Sequence, residues 1–171
     1  MVQGSLSKYG QWLNPTGYVL HPTGKWEPGM GYLFGLGALV GWRRKRRQYE
    51  FRLDPVAPLT FEHPNGFYVQ PDRHGFTDLG SIPEILEPFV HRTSYEPSFL
   101  LHDSACREHG LYFSSQVEGP FVFCEIGSDA AHRLLRMTTR AEGAWRQMSW
   151  AIYQAVYRFG PQWELGAPAL A

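Results

Sequence analysis

The spacing of apolar residues changes along this chain, and that change limits its fold more than any other feature. From Gln48 to Asp54, polar residues alternate with Tyr49, Phe51 and Leu53, the period of a half-buried strand. Leu59–Glu62 and Phe67–Gln70 flank His63-Pro64-Asn65-Gly66, where Asn-Gly supplies the positive φ angles of a tight hairpin. Further on the period becomes three to four. Pro97 opens a helix that runs to His109 with Gly110 as its stop, and Ser128 N-caps a second helix, Asp129–Arg140. A third helix sets Ala141, Trp145, Met148, Ile152, Val156 and Phe159 on one stripe and ends at Gly160-Pro161. Strands first and helices after predict an α+β fold, a short antiparallel sheet followed by two or three packed helices.

With 171 residues, 43% of them hydrophobic, the chain can bury one good core without a disulfide staple. Cys106 and Cys124 are too few for a secreted disulfide framework, and the sequence neither requires nor forbids a bridge between them. Sixteen basic groups balance sixteen acidic ones, so no global field draws the protein to nucleic acid or an anionic bilayer. No specific nucleic-acid motif is present. Met1 to Asn14 mixes Gln, Ser, Lys and Trp, without the pattern of a signal peptide, and a reducing cytosol is the expected setting.

The first 42 residues hold only Lys8, Lys25 and Glu27 as charges yet carry nine of the 18 glycines, an unusual composition for a core-forming segment. Residues 1–47 are therefore read as an N-terminal arm that lies on the core or on another subunit, and 48–171 as the α+β domain. From Met30 to Trp42 the arm is wholly uncharged, and it runs directly into Arg43, Arg44, Lys45, Arg46 and Arg47. Thirteen residues fall short of the ~20 a spanning helix needs. One reading is an attachment segment, with Tyr32, Phe34 and Trp42 as apolar contacts and Arg43 and Arg44 beginning the basic collar, to a membrane surface or protein neighbours. The other is a buried glycine-rich turn and strand beside a solvated basic stretch.

Chemistry concentrates in the helix from Pro97. His102 and Asp103 are adjacent, and Cys106 and His109 follow His102 at one-turn steps. Asp129 and His132 form a matching pair on the second helix, so antiparallel packing would bring Asp129 to the His102 imidazole and stabilise its protonated form. Upstream, Thr77-Asp78-Leu79-Gly80-Ser81-Ile82-Pro83 makes a fixed polar turn whose Asp78 and carbonyls can ligate a hard cation. Zinc bound by His102, Cys106, His109 or His132 is chemically allowed, but the spacing gives no usual tetrahedral set. The alternative for His102 and Asp103 is a buried hydrogen-bonded pair that pins the fold without turnover.

That turn, then Pro97-Ser98-Phe99-Leu100-Leu101-His102-Asp103, then Asp129 heading a helix, then Trp150 to Gly160, resembles the bacteriophage-associated domain of unknown function numbered 1353 across about residues 50–160. The His-Asp pair with a later Asp is similar in arrangement to the secreted, calcium-dependent phospholipases A. That resemblance implies His102 as the base that activates water, Asp129 as its orienter, and Asp103 as the calcium ligand. Asp78 and Gly80 would supply further oxygens, with Thr77, Ser81 and Cys106 supporting. Where those phospholipases place a Tyr one turn after the His, this chain has Cys106. The His-Asp phosphohydrolases also use such a pair, but His91 and Asp129 lie too close to it for their larger bundle.

Two functions follow as expectations. One is a phage-related, calcium-assisted hydrolase of esters or phospholipids using a His-Asp dyad. The other is a non-enzymatic virion or tail protein, made in the host cytoplasm, whose arm docks phage structural neighbours and whose His-Asp network is architecture.

Overall fold

A computed structural model describes residues 7–28, 45–78 and 95–166. Its described strands are β1 (Gln11–Trp12), β2 (Tyr18–Pro28), β3 (Lys45–Leu53), β4 (Phe61–Glu62), β5 (Tyr68–Gln70), β6 (His74–Thr77), β7 (Gly110–Ser114) and β8 (Val122–Glu125). Its described helices are α1 (Glu96–Glu108), α2 (Ser128–Ala141) and α3 (Arg146–Phe159). The fold is α+β, with two antiparallel sheets in the orders β1-β4-β5-β7-β8 and β2-β3-β6. The period-two segment is β3, and its Phe51 is fully buried between Leu20 of β2 and Gly75 of β6. A Cβ at Gly75 would meet the Phe51 ring at 2.9 Å, so the glycine makes room for that core side chain.

The hairpin forms where expected but through a different turn. Only Gly66 takes a positive φ, 83°, and Gly66 N–H donates to His63 carbonyl at 2.9 Å. Asn65 stays out of the left-handed region, which suits a type I turn followed by a left-handed glycine rather than a two-residue turn.

The end of α1 and the start of α2 both meet Trp163, from beyond α3. His109, not Gly110, caps α1 in the left-handed conformation (φ 53°), its ring stacked 4.7 Å from Trp163. Gly110 instead opens β7, where a Cβ would lie 2.3 Å from the Phe123 ring. Gly127 caps α2, and Ser128 is already helical, its backbone N–H donating to Trp163 carbonyl at 3.3 Å. In the third stripe Met148, Ile152 and Val156 are buried as expected, whereas Ala141 ends α2 and Trp145 is the exposed N-cap of α3. Gly143, with φ 93°, turns the chain between them.

The arm boundary at residue 47 is corrected as well. It cuts through β3, β2 pairs with β3 from Tyr18↔Leu53 to Pro28↔Lys45, and β1 joins the larger sheet beside β4. Trp12 meets Phe61 at 5.2 Å and packs against two of the three core clusters. Residues 11–28 are thus part of the sheets. Tyr32, Phe34, Trp42, Arg43 and Arg44 lie outside the described residues, as do Gly80 and Ser81.

The core is organised around α1. Phe99, Leu100 and Leu101 leave the helix about 100° apart, and each enters a different cluster. Phe99 joins Leu135, Met148, Ile152 and Val156 of α2 and α3. Leu100 joins Phe51 and Leu59, and Leu101 joins Phe61, Val69, Leu111 and Ala131. A helix covered on every side must also bury its polar residues, and here Ser98, His102 and Ser104 are buried.

Candidate functional site

His102 leaves α1 toward α2, and its Nε2 lies 3.0 Å from Nδ1 of His132. His132 is at that interface because Ala131, Leu135, Thr138 and Thr139 put one face of α2 against the core. On the other side of His102, Nδ1 lies 3.8 Å from Asp103 Oδ1. Thr77 at the end of β6 donates its hydroxyl to Asp103 Oδ2 at 2.5 Å. The chain after α3 closes over His132. Gln162 Nε2 is 3.3 Å from His132 Nε2 and donates to Tyr157 carbonyl at 2.9 Å, while Ser128 Oγ donates to Gln162 Oε1 at 3.3 Å. Trp163 meets the His132 ring edge-on at 6.1 Å and donates its indole N–H to Ile126 carbonyl at 2.7 Å.

These contacts form a line from Thr77 through Asp103, His102 and His132 to Gln162. With both rings neutral, the donors from Gln162 inward all point toward Asp103: Gln162 N–H to His132 Nε2, His132 Nδ1–H to His102 Nε2, and His102 Nδ1–H toward the carboxylate, which Thr77 meets from the other end. A proton added to His102 reverses the central bond. His102 Nε2–H then donates to His132 Nδ1, and the Pro161 backbone is there to accept from the His132 ring. Burial opposes charge on His102, but Cys106 and Asp103 outweigh it and raise the ring to about 10. Burial, then the charge on His102, lowers His132 to about 4. A proton gained by the pair therefore rests on the inner ring, with His132 as its neutral partner.

Cys106 Sγ lies 3.5 Å from Nε2 and 3.7 Å from Nδ1 of His102. Being almost equidistant from the two nitrogens, the sulfur sits over the ring rather than in line with either lone pair. That is not the alignment of a thiol handing its proton to a base. Cys106 and Cys124 are both free.

The expected pairing of His102 with Asp129 is not formed. Asp129 Oδ2 lies 2.9 Å from Arg133, one turn along α2, and both side chains are at least half exposed. The first turn of α2 directs His132 inward and leaves Asp129 at the rim, where it acts on His132 only through its charge. His132 takes the place given to Asp129. Its spacing to Leu135 and Thr139 marks it as interior, whereas Gln162 and Trp163 carry no local signal. Thr77 and Asp103 do meet, and Asp78 follows Thr77 directly at the end of β6. His109 joins Trp163 rather than the His102 line.

Among the described residues, no group of three or more His, Cys, Asp or Glu side chains is arranged to hold a metal ion. The His102 and His132 nitrogens face each other, and Asp103 accepts from Thr77. No helix among the described residues is long and apolar enough to cross a membrane. Compared with protein-family models, with curated proteins and with solved structures, the chain finds no match.

Proposed function

We propose that this protein is a phage-related hydrolase of ester bonds, phospholipid esters among them, whose acid–base work runs through Asp103, His102 and His132. The observation that carries this reading is the 3.0 Å contact between two buried imidazoles backed by a carboxylate. His102 has both nitrogens engaged inside the protein, so the outer atom of the relay is His132 Nε2, beneath Gln162. From the form with both rings neutral, whose share grows as pH rises toward about 10, a water that displaces the Gln162 amide would give its proton to His132 Nε2 as it attacks the ester carbonyl. The Nδ1 proton of His132 then moves to His102 Nε2, where Asp103 stabilises the charge, and the return path protonates the leaving alkoxide. Calcium belongs to the same reading as the cation that would polarise the carbonyl. Asp103 and Asp78 would be its carboxylates, with Gly80 and Ser81, outside the described residues, as further oxygen donors.

The test is an ester and phospholipid panel with calcium or with chelator, on the wild type, His102→Asn and His132→Asn. Either substitution should lower turnover by at least about 100-fold, the lower end for a lost general base. A folded wild type that is inert on the whole panel overturns the proposal.

One observation favours a second reading, a virion or tail accessory protein in which the network is architecture. His132 is fully buried and His102 is 3% exposed, so substrate reaches neither ring until the segment at Gln162 and Trp163 moves. In that reading residues 30–47, with Tyr32, Phe34, Trp42, Arg43 and Arg44, dock a neighbouring phage protein or a membrane surface. Substitutions at His102 and His132 then change melting temperature alone.

A further inference from the structure

Four arginines converge on a cavity of about 230 Å³ between the outer faces of α2 and α3. Arg133, Arg136 and Arg140 come from successive turns of α2, Arg146 opens α3, and Tyr9 and Ser149 complete the wall that matters here. None of these residues belongs to the line from Thr77 to Gln162.

Such a cluster is unfavourable by itself. Like charges three and four residues apart on a helix repel, and a cation in the first turn of α3 opposes the helix dipole. The chain as a whole has no excess of positive charge, so the grouping is local. Among the lining residues there is no carboxylate, and Asp129 nearby pairs with Arg133 at 2.9 Å. Arg136 lies over the Tyr153 ring at 5.7 Å and Arg140 over the Tyr9 ring at 4.7 Å. These aromatic faces orient the guanidinium planes without neutralising them. Arg140 donates from one terminal nitrogen to Ala144 carbonyl, while its Nε is buried with no hydrogen-bond partner among the described residues. The neighbouring cations, Arg140 before Lys8, also hold the Tyr9 hydroxyl below the usual phenol range.

From the cavity, the charge excess and the unsatisfied buried donor, we infer that this site binds a phosphate-bearing small molecule through its phosphate oxygens. A carboxylate would offset one positive charge. A phosphate or diphosphate offsets two or more and presents several oxygens to the planar guanidinium forks. Tyr9 lines the same space, and Ser149, whose hydroxyl donates to Arg146 carbonyl at 3.2 Å, keeps that turn of α3 in place.

Titration calorimetry with inorganic pyrophosphate at low ionic strength tests this on the full chain. The wild type should bind, more weakly as salt rises. Arg140→Gln and Arg136→Gln should each weaken binding at least about tenfold, equivalent to 1.4 kcal/mol. Arg146→Gln, in an exposed first turn, should do the same without affecting the fold. Arg52→Gln, from the Glu50 pair on β3, should leave binding unchanged. Absence of heat at millimolar pyrophosphate, or equal binding by wild type and Arg146→Gln, overturns the proposal. A short single-stranded oligonucleotide that binds more than about tenfold tighter than pyrophosphate also overturns it, in favour of a polyanion track.

Discussion

Two buried polar clusters lie about one turn apart on α1 and differ in how completely their groups are satisfied. At the start of the helix, Tyr95 offers no side-chain cap, and the Ser98 backbone N–H donates to Glu142 Oε1 at 3.1 Å. That carboxyl arrives from the end of α2 and caps α1 across the fold. Its second oxygen, Oε2, is buried with no hydrogen-bond partner among the described residues. Further along α1, His102 has His132 on one nitrogen and Asp103 beside the other. The first cluster leaves two atoms over, that oxygen and Ser98 Oγ, and burial of the carboxyl pushes Glu142 up to about 8. The second shares its protons between two rings and displaces their affinities in opposite directions, up for His102 and down for His132. The difference teaches that burial alone makes a group titrate abnormally, while a shared hydrogen bond is what makes a proton transferable.

The largest expected effect comes from removing one ring of the shared pair. His132→Ala leaves the buried His102 without its partner and should lower unfolding free energy by about 3–5 kcal/mol in urea titrations. A loss below about 1 kcal/mol, within the range of an ordinary single hydrogen bond, would show that the two rings are not coupled.

Glu142→Ala should cost less, about 1–3 kcal/mol, because it removes one acceptor from a helix end. The sign of its pH dependence separates the two clusters. Between its unfolded value of 4.5 and its folded value of about 8, Glu142 binds more proton in the folded state. Its contribution is complete below 4.5 and is lost as pH rises through 8. His132 works in the other direction, contributing fully above 6.5 and losing that contribution as pH falls toward about 4. Glu142→Gln should therefore flatten the alkaline side of the stability profile and leave the acid side in place. Thermal melts across pH 4 to 9 would show it, and an unchanged alkaline slope would remove Glu142 as its source.

The smallest effect on stability belongs to Gln162→Ala, roughly 0.5–1 kcal/mol, since this residue is exposed and its hydrogen bonds are net weak. The same substitution opens the outer nitrogen of His132 to water. Proton titration followed by NMR should then show the His132 pKa rising from about 4 toward its ordinary 6.5. No movement would mean that Gln162 does not shield the pair.

Several elements are determined by neighbours in sequence. The alternation around Phe51 specifies β3, Gly66 specifies the hairpin, and the stripe of Met148, Ile152 and Val156 specifies α3. Adjacent His102 and Asp103 mark where polar chemistry enters the core, and Thr77 does meet Asp103. These features depend on backbone preference and on which face of one element is apolar, both local properties. What only the tertiary structure decided lies in contacts between distant segments. Residues 11–28 are drawn into the sheets because Trp12 and Leu20 find core partners in Phe61 and the cluster around Phe51. Glu142 caps a helix that begins 46 positions earlier, and Trp163 holds His109 in its left-handed conformation. His102 meets His132 instead of Asp129 because α2 turns its apolar face to α1, carrying one side chain inward and leaving the other, three residues away, at the rim with Arg133. A sequence states which side chains share a face. Which of two such side chains crosses the interface depends on the rotation of one helix against another, and packing of the whole core sets that angle.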